Sequence, residues 1–333
     1  MTTTRHLTTV ALASALVAGC TATGPPPSPS GTKLTVGLGF IPSVQFAQFY
    51  LADEAGYYRD AGLDVTFQNE SDPNLITLVG QGAVDVGIAD GTSVIPAVSQ
   101  GVPIRYVATV YAQFPNVVFA KASSGIGAAE DLEGRTIGTP FRGGSGWIML
   151  QALLASADLT TADVEIREYP DFGQRVAVEQ GVVNAATGFR NNEPLQMERA
   201  GTPVTVLRVD EITPLPGPGL VTGTSTLETK REAVRAFAGA TLRAMEEIAA
   251  DPNKGLEAAI RRVPELGNDR EGQLAILRAT VETWQSNYTR ANGTGAIDRD
   301  AWTRSVEFMA SLPERIVREP VTVDQLVSEE LLP

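Results

Sequence analysis

The chain is short of reactive side chains. Its 333 residues hold one cysteine, Cys20, and one histidine, His6, both near the N-terminus. If that end is processed, the remaining body has no imidazole and no thiol. That excludes Ser-His-Asp and Cys-His nucleophiles, His or Cys metal centres and a disulfide framework; no metal and no cofactor is expected. Positive charge is scarce as well: 26 Lys+Arg stand against 39 Asp+Glu, a formal net charge of −13. Nucleic-acid binding needs a basic surface, so no nucleic-acid partner is expected. Beyond the first thirty residues no run is long and apolar enough to span a bilayer. What remains is bulk: 43% of the residues are hydrophobic, enough for a sizeable core. The length suggests about two domains.

The first thirty residues read as targeting rather than fold. Arg5 and His6 precede the apolar stretch Val10-Ala-Leu-Ala-Ser-Ala-Leu-Val-Ala18. Small residues then lead into Leu16-Val-Ala-Gly-Cys20, a lipobox pattern in which residues 1–19 are a signal peptide and Cys20 receives lipid. An ordinary secretory signal with an incidental cysteine is the other reading. Residues 20–32 include the run from Gly24 to Gly31, rich in Pro, Ser and Gly and free of charge. Such a segment is a tether between a membrane anchor and a folded body.

The body carries a duplicated pattern. Lys33–Gly39, Leu63–Gln68 and Ala83–Ala89 alternate like strands, with helical spacing over Gln45–Tyr58 and Pro73–Gly80 between them. The same order returns as strands at Arg135–Gly138, Val164–Tyr169 and Val182–Gly188, with helices at Trp147–Ala157 and Gln174–Glu179. Gln81-Gly82-Ala-Val-Asp85 and Gln180-Gly181-Val-Val-Asn184 open the third strand of each set. A return strand is read at Gly217–Thr222, followed by amphipathic helices at Lys230–Asp251, Lys254–Val263, Arg270–Tyr288 and Ala301–Leu312. Alternating strands and helices predict mainly parallel sheets flanked by helices, in two similar lobes. Ligands of such sheets sit beyond the carboxyl ends of the strands. Four loops are therefore expected to line one cleft: Phe40–Phe46, Asp90–Ser93, Pro140–Trp147 and Phe189–Glu193.

Particular stretches carry a resemblance. Phe40-Ile-Pro-Ser-Val-Gln-Phe-Ala-Gln-Phe-Tyr-Leu-Ala52, Glu54-Ala-Gly-Tyr-Tyr58, Gly80-Gln-Gly-Ala-Val-Asp-Val-Gly87 and Glu130-Asp-Leu-Glu-Gly-Arg-Thr-Ile-Gly138 resemble solute-binding proteins of ABC importers. The branch is the one related to thiamine-pyrimidine synthase, which also includes sulfonate and nitrate binders. Phe189-Arg-Asn-Asn-Glu-Pro-Leu-Gln196 is similar to a stretch in binders of thiamine-precursor pyrimidines and, in relatives, of riboflavin. The resemblance implies an α/β, two-lobed periplasmic-binding-protein-like fold of type II, with a hinge between the lobes. It implies lobe one at 33–118 plus 218–333 and lobe two at 119–217, with crossovers near Asn116–Ala122 and Pro214–Leu220. It further implies binding without chemistry on the ligand; with the lipobox, the expectation is a monomer that is exported and lipid-anchored to the outer face of the cell membrane, or facing a periplasm. There it takes a small heterocyclic ligand and delivers it to the permease and ATPase subunits of an importer.

Within the four loops, Glu193 is the first choice for specificity. A carboxylate at a strand end accepts hydrogen bonds from an amino-substituted ring, and charge-assisted bonds are the stronger kind. The competing role is to sit at a helix N-terminus ahead of Pro194. Asn191 and Asn192 offer donor and acceptor together, as does Gln45, with Ser43 beside it. Phe46, Tyr111, Trp147 and Phe189 supply ring faces, along with Phe40 and Phe141, while Asp90 and Thr92 close the third strand. Gly144 and Ser145 sit in a glycine loop before an apolar helix, where exposed N–H groups suit an electronegative group.

The leading ligand is a thiamine-precursor pyrimidine of the hydroxymethyl or formylamino type. Riboflavin in the same cleft is the alternative. A sulfonate or other small anion, held by Arg142 or Arg190, is a third. An enzyme like thiamine-pyrimidine synthase is the reading from another class. That chemistry uses a histidine, a lysine and metal-binding cysteines, and the four lysines (Lys33, Lys121, Lys230 and Lys254) lie outside the four loops.

Overall fold

Two sheets repeat one topology, and each borrows a strand from the far side of a chain crossing. The computed structural model describes residues 1–2, 31–212 and 214–332, so the leader, Cys20 and most of the tether lie outside the described residues. Among the described residues the strands are β1 (Thr32–Leu38), β2 (Leu63–Asn69), β3 (Val86–Asp90), β4 (Ile104–Thr109), β5 (Asn116–Lys121), β6 (Thr136–Thr139), β7 (Glu165–Glu168), β8 (Ala185–Phe189), β9 (Val204–Leu207) and β10 (Pro218–Gly223). They form sheets of order β2-β1-β3-β10-β4 and β7-β6-β8-β5-β9. In the first, β10 runs antiparallel to both β3 and β4. In the second, β5 runs antiparallel to both β8 and β9. The other four strands of each sheet run one way, so each sheet is mixed: two of its four pairings are parallel and two antiparallel. The chain passes between sheets over residues 110–115 and returns over 208–217. The first passage is earlier than expected, because Asn116 already opens β5.

The helices are α1 (Ala47–Glu54), α2 (Tyr57–Asp60), α3 (Asp72–Gly80), α4 (Gly91–Ser99), α5 (Gly144–Ala155), α6 (Gln174–Glu179), α7 (Glu193–Arg199), α8 (Thr224–Ala250), α9 (Pro252–Arg262), α10 (Arg270–Thr283), α11 (Asn287–Asn292), α12 (Arg299–Ser311) and α13 (Val323–Leu326). None of the described helices is long and apolar enough to cross a membrane. Two boundaries depart from the sequence reading for clear reasons. The helix expected over Gln45–Tyr58 breaks at Gly56, whose φ of 80° is left-handed. The helix expected to start at Trp147 starts at Gly144, because its first-turn N–H groups need no intrahelical partner and glycine is tolerated there. Its N-cap is Gly143, which offers no side-chain bond.

Apolar burial joins the parts. One cluster packs α1 and α2 under α8, where the Phe237 ring stacks on Tyr58 at 4.9 Å and on Phe49 at 6.1 Å. A second cluster runs continuously from sheet one (Ile104, Tyr106) through α4 (Val94, Ile95) to α5 (Met149, Leu150) and sheet two (Val118, Ile137). Each large side chain removed from water there contributes roughly 1.5–3 kcal/mol. The helical tail packs on sheet one: Trp302 of α12 meets the Tyr106 ring edge-on at 4.9 Å. Asp298 caps α12 by accepting the Ala301 N–H at 2.9 Å.

Candidate ligand-binding cleft

The carboxyl ends of the parallel strands from both sheets open on one cleft, with about 900 Å³ of empty space including its mouth. All four expected loops reach it: Phe40, Gln45 and Phe46 from the first, Asp90 from the second, Phe141 and Gly143–Gly146 from the third, Phe189, Asn192 and Glu193 from the fourth. Tyr111, on the passage between sheets, lines it too, buried and 6.2 Å edge-on from the Phe189 ring. Burial pushes the Tyr111 phenol up from its ordinary range, so the group is a neutral hydrogen-bonding hydroxyl.

The cleft wall is polar where the sheets meet. Asn116, the first residue of β5, donates through Nδ2 to Asp90 Oδ1 at 3.1 Å, and Ser145 Oγ donates to Asn116 Oδ1 at 3.5 Å. The three side chains are buried and line the cleft, so this chain of bonds ties β3 of sheet one to β5 and α5 of sheet two. Gln174, the first residue of α6, is also buried in the wall and donates to the Thr187 carbonyl at 3.3 Å.

Glu193 opens α7, and its Oε2 accepts the Phe189 N–H at 2.8 Å. Burial pushes its carboxyl up from the ordinary carboxylate range, against the pull of that N–H. The side chain thus stands at a helix N-terminus and on the cleft wall at once.

The rim is aromatic. Phe172, between β7 and α6, meets Phe40 edge-on at 4.6 Å and Phe141 at 5.6 Å. Its backbone φ is 59°, left-handed for a bulky residue, a conformation that costs roughly 1–3 kcal/mol.

Four expected residues stand apart from the cleft lining. Ser43 caps the turn ahead of α1 by accepting the Gln45 N–H at 3.2 Å. Thr92 follows the first residue of α4 and is fully buried. Trp147 packs against the core cluster that spans the sheets, with the Arg142 guanidinium 5.6 Å over its ring. Asn191 donates through Nδ2 to Gln45 Oε1 at 2.9 Å and to Thr280 Oγ1 at 2.8 Å, joining the first loop to α10 behind the cleft. Neither Arg142 nor Arg190 lines the space. Arg142 pairs with Glu168 at 3.0 Å, and Arg190 donates to Gln113 Oε1.

The lining residues not foreseen include Asn116, Gln174, Thr187 and Phe172, with Pro73 and Pro218. The duplication held one signal for them: β5 and β10 are the matching antiparallel strands, and each begins on the cleft, at Asn116 and at Pro218.

This architecture is that of the solute-binding proteins of ABC importers. It superposes on the periplasmic aliphatic sulphonate binding protein SsuA from Escherichia coli with a TM-score of 0.64 at 17% identity, over 90% of this chain and 93% of the other. The chain belongs to the NMT1/THI5-like family, whose pattern matches residues 43–255. It is 32% identical over 317 residues to the riboflavin-binding protein RibY from Chloroflexus aurantiacus, covering 94% of this chain and 89% of that protein. It is 27% identical over 256 residues to the 4-amino-5-hydroxymethyl-2-methylpyrimidine phosphate synthase THI13 from Saccharomyces cerevisiae, covering 72% of this chain and 74% of that one.

Proposed function

We propose that this chain is the extracytoplasmic binding component of an ABC importer and that it captures riboflavin in the cleft between its two sheets. One observation carries the reading: the cleft combines an aromatic rim with buried amide, hydroxyl and carboxylate groups, and no Lys or Arg is among its lining residues. A flat, uncharged, hydrogen-bonding ring suits such walls. Each ring stacked on an aromatic gains roughly 0.5–1.5 kcal/mol beyond burial. The likeness to RibY along 94% of the chain supports riboflavin over the pyrimidine that heads the sequence reading. A thiamine-precursor pyrimidine is kept as the second reading, because Glu193 on the wall is an acceptor for a ring amino group. A sulfonate fits less well. The arginines that would hold it are engaged elsewhere, and Asp90 and Glu193 stand in the wall instead.

Binding without chemistry on the ligand is the expected activity. Lys230 is bonded to Asp85 at 2.8 Å, Lys254 to Glu247 at 3.2 Å, and Lys121 to the Glu179 carbonyl. No lysine is among the lining residues. Capture shifts the population toward a closed form in which both sheets' loops touch the ligand, and the permease reads that form.

The test is fluorescence titration of riboflavin, with calorimetry on variants. Riboflavin fluorescence should be quenched on binding. Glu193→Gln should weaken binding roughly tenfold, the loss of one charge-assisted hydrogen bond, and Arg142→Ala should leave it unchanged. Loss with Arg142→Ala alone would transfer the reading to an anion, and tighter binding of an aminopyrimidine than of riboflavin would transfer it to the second reading.

A further inference from the structure

We propose that Phe172 and Phe40 form a ring gate across the rim of the cleft, and that this gate controls how fast anything enters or leaves it. The proposal rests on the cleft being the binding site, and it deepens that reading by naming the residues that govern retention.

The two rings come from different sheets. Phe40 follows β1 of sheet one, and Phe172 lies between β7 and α6 of sheet two. They meet edge-to-face, with centroids 4.6 Å apart at 81°, a favoured aromatic geometry. Phe141, after β6, takes Phe172 from another side at 5.6 Å and 86°. All three line the cleft and are partly exposed, unlike the buried Tyr111 and Asn116 further in.

The backbone aims Phe172 at this contact. Its φ of 59° is left-handed, although Gly173, the residue built for that conformation, stands next to it at φ −80°. The turn is held by the Phe172 N–H donating to the Tyr169 carbonyl at 2.9 Å and by Asp171 Oδ1 accepting the Gly173 N–H at 3.1 Å. Packing that serves only the core gives no reason to place an aromatic, in preference to the adjacent glycine, in the costly position. A ring that must reach the opposite sheet does. Elsewhere the two halves are joined by buried apolar side chains and by buried hydrogen bonds, Asp90–Asn116 and Asn191–Gln45 among them. The Phe40–Phe172 contact has no backbone hydrogen bond across it and is free to part.

The gate is tested without a ligand. In the full chain carrying Cys20→Ser, Ser145→Cys places a thiol on the cleft wall, and its labelling rate by a bulky maleimide reads rim opening. Phe172→Ala and Phe40→Ala should each speed labelling at least tenfold. The double variant should be no faster than the faster single one, because both remove one contact. Phe172→Tyr, which keeps the ring, should label at the parent rate. Phe172→Ala labelling at the parent rate, or single effects that multiply in the double variant, would overturn the gate. Stopped-flow riboflavin binding supplies the second readout: Phe172→Ala should speed association and dissociation together, moving Kd less than either rate. Dissociation at the parent rate would also overturn it. Failure of the parent chain to bind riboflavin removes that ligand and leaves the labelling result to judge the gate.

Discussion

Asp85 and Asn184 stand 99 residues apart and make the same pair of bonds. The Asp85 carboxylate accepts the Thr35 N–H at 2.9 Å while its own N–H donates to the Thr35 carbonyl at 2.9 Å. The Asn184 side chain accepts the Thr136 N–H at 2.9 Å while its N–H donates to the Thr136 carbonyl at 2.8 Å. Each pair ties the start of a third strand to the first strand of its sheet. The glycines ahead of them, Gly82 and Gly181, turn the chain at φ 73° and 72°. The halves differ in one respect: Asp85 also takes Lys230 at 2.8 Å and is buried, whereas Asn184 is exposed. Asp85→Ala should therefore cost about 1.5–3 kcal/mol, because it leaves the partly buried Lys230 ammonium with the Lys33 carbonyl in place of a carboxylate. Asn184→Ala should cost only about 0.5–1.5 kcal/mol. Denaturant titration of both variants checks the difference; equal costs would mean that Lys230 contributes nothing.

Glu193 sets a pH dependence. Burial holds its carboxyl above the ordinary 4.5, so the folded chain keeps a proton that the unfolded chain has released. Wherever the folded state binds more protons, stability falls as pH rises. This contribution is absent below the ordinary value, where both states are protonated. It grows from there upward and levels off once pH passes the raised value. Glu193→Gln removes the slope. The variant should match the parent near pH 4 and exceed it at pH 7. Melting curves across that range decide it, and a variant less stable at pH 7 would show that the ionised carboxylate is held more favourably than its burial allows.

Asn191 lies outside the cleft lining yet links two of the elements around it. Its Nδ2 donates to both Gln45 and Thr280 from a buried position. Asn191→Ala leaves Gln45, on the cleft wall, without that partner, at a cost of about 1–3 kcal/mol. Affinity should fall along with stability, since Gln45 is then free to turn away from the ligand. Calorimetry beside chemical denaturation checks this; unchanged affinity at lowered stability would make the bond purely structural.

Much of this arrangement was legible because it is local or repeated. The Gln-Gly-x-Val-Asp/Asn duplication located equivalent strand starts, and the βαβαβ order placed four loops at one end of two sheets. The strands β4, β5 and β9 were not legible. They follow or precede a crossing without a helix between, so the alternation that marked the others was missing there. Trp147 was misplaced by three residues of helix: once Gly144 begins α5, residue 147 faces the core cluster. Phe172 carried no signal at all. Pro170-Asp-Phe-Gly173 offers a glycine for a left-handed position, yet Phe172 adopts it, with its ring against Phe40.

The lipid anchor expected at Cys20 would bear on delivery. A binding protein loose in the surroundings of a cell loses ligand to dilution, whereas one held at the membrane meets its permease at high effective concentration. Cys20, after Leu16-Val-Ala-Gly19, is the only thiol in the chain, so lipid labelling has a single site to report on. Growth with a palmitate analogue should label the parent chain and leave Cys20→Ala unlabelled. The variant should shift from the membrane to the soluble fraction. Its affinity for riboflavin should stay the same, because the cleft lies wholly within residues after Gly31. Equal labelling of the two chains would end the lipid assignment. Release from the membrane with undiminished uptake would show that tethering is dispensable for handing the ligand over.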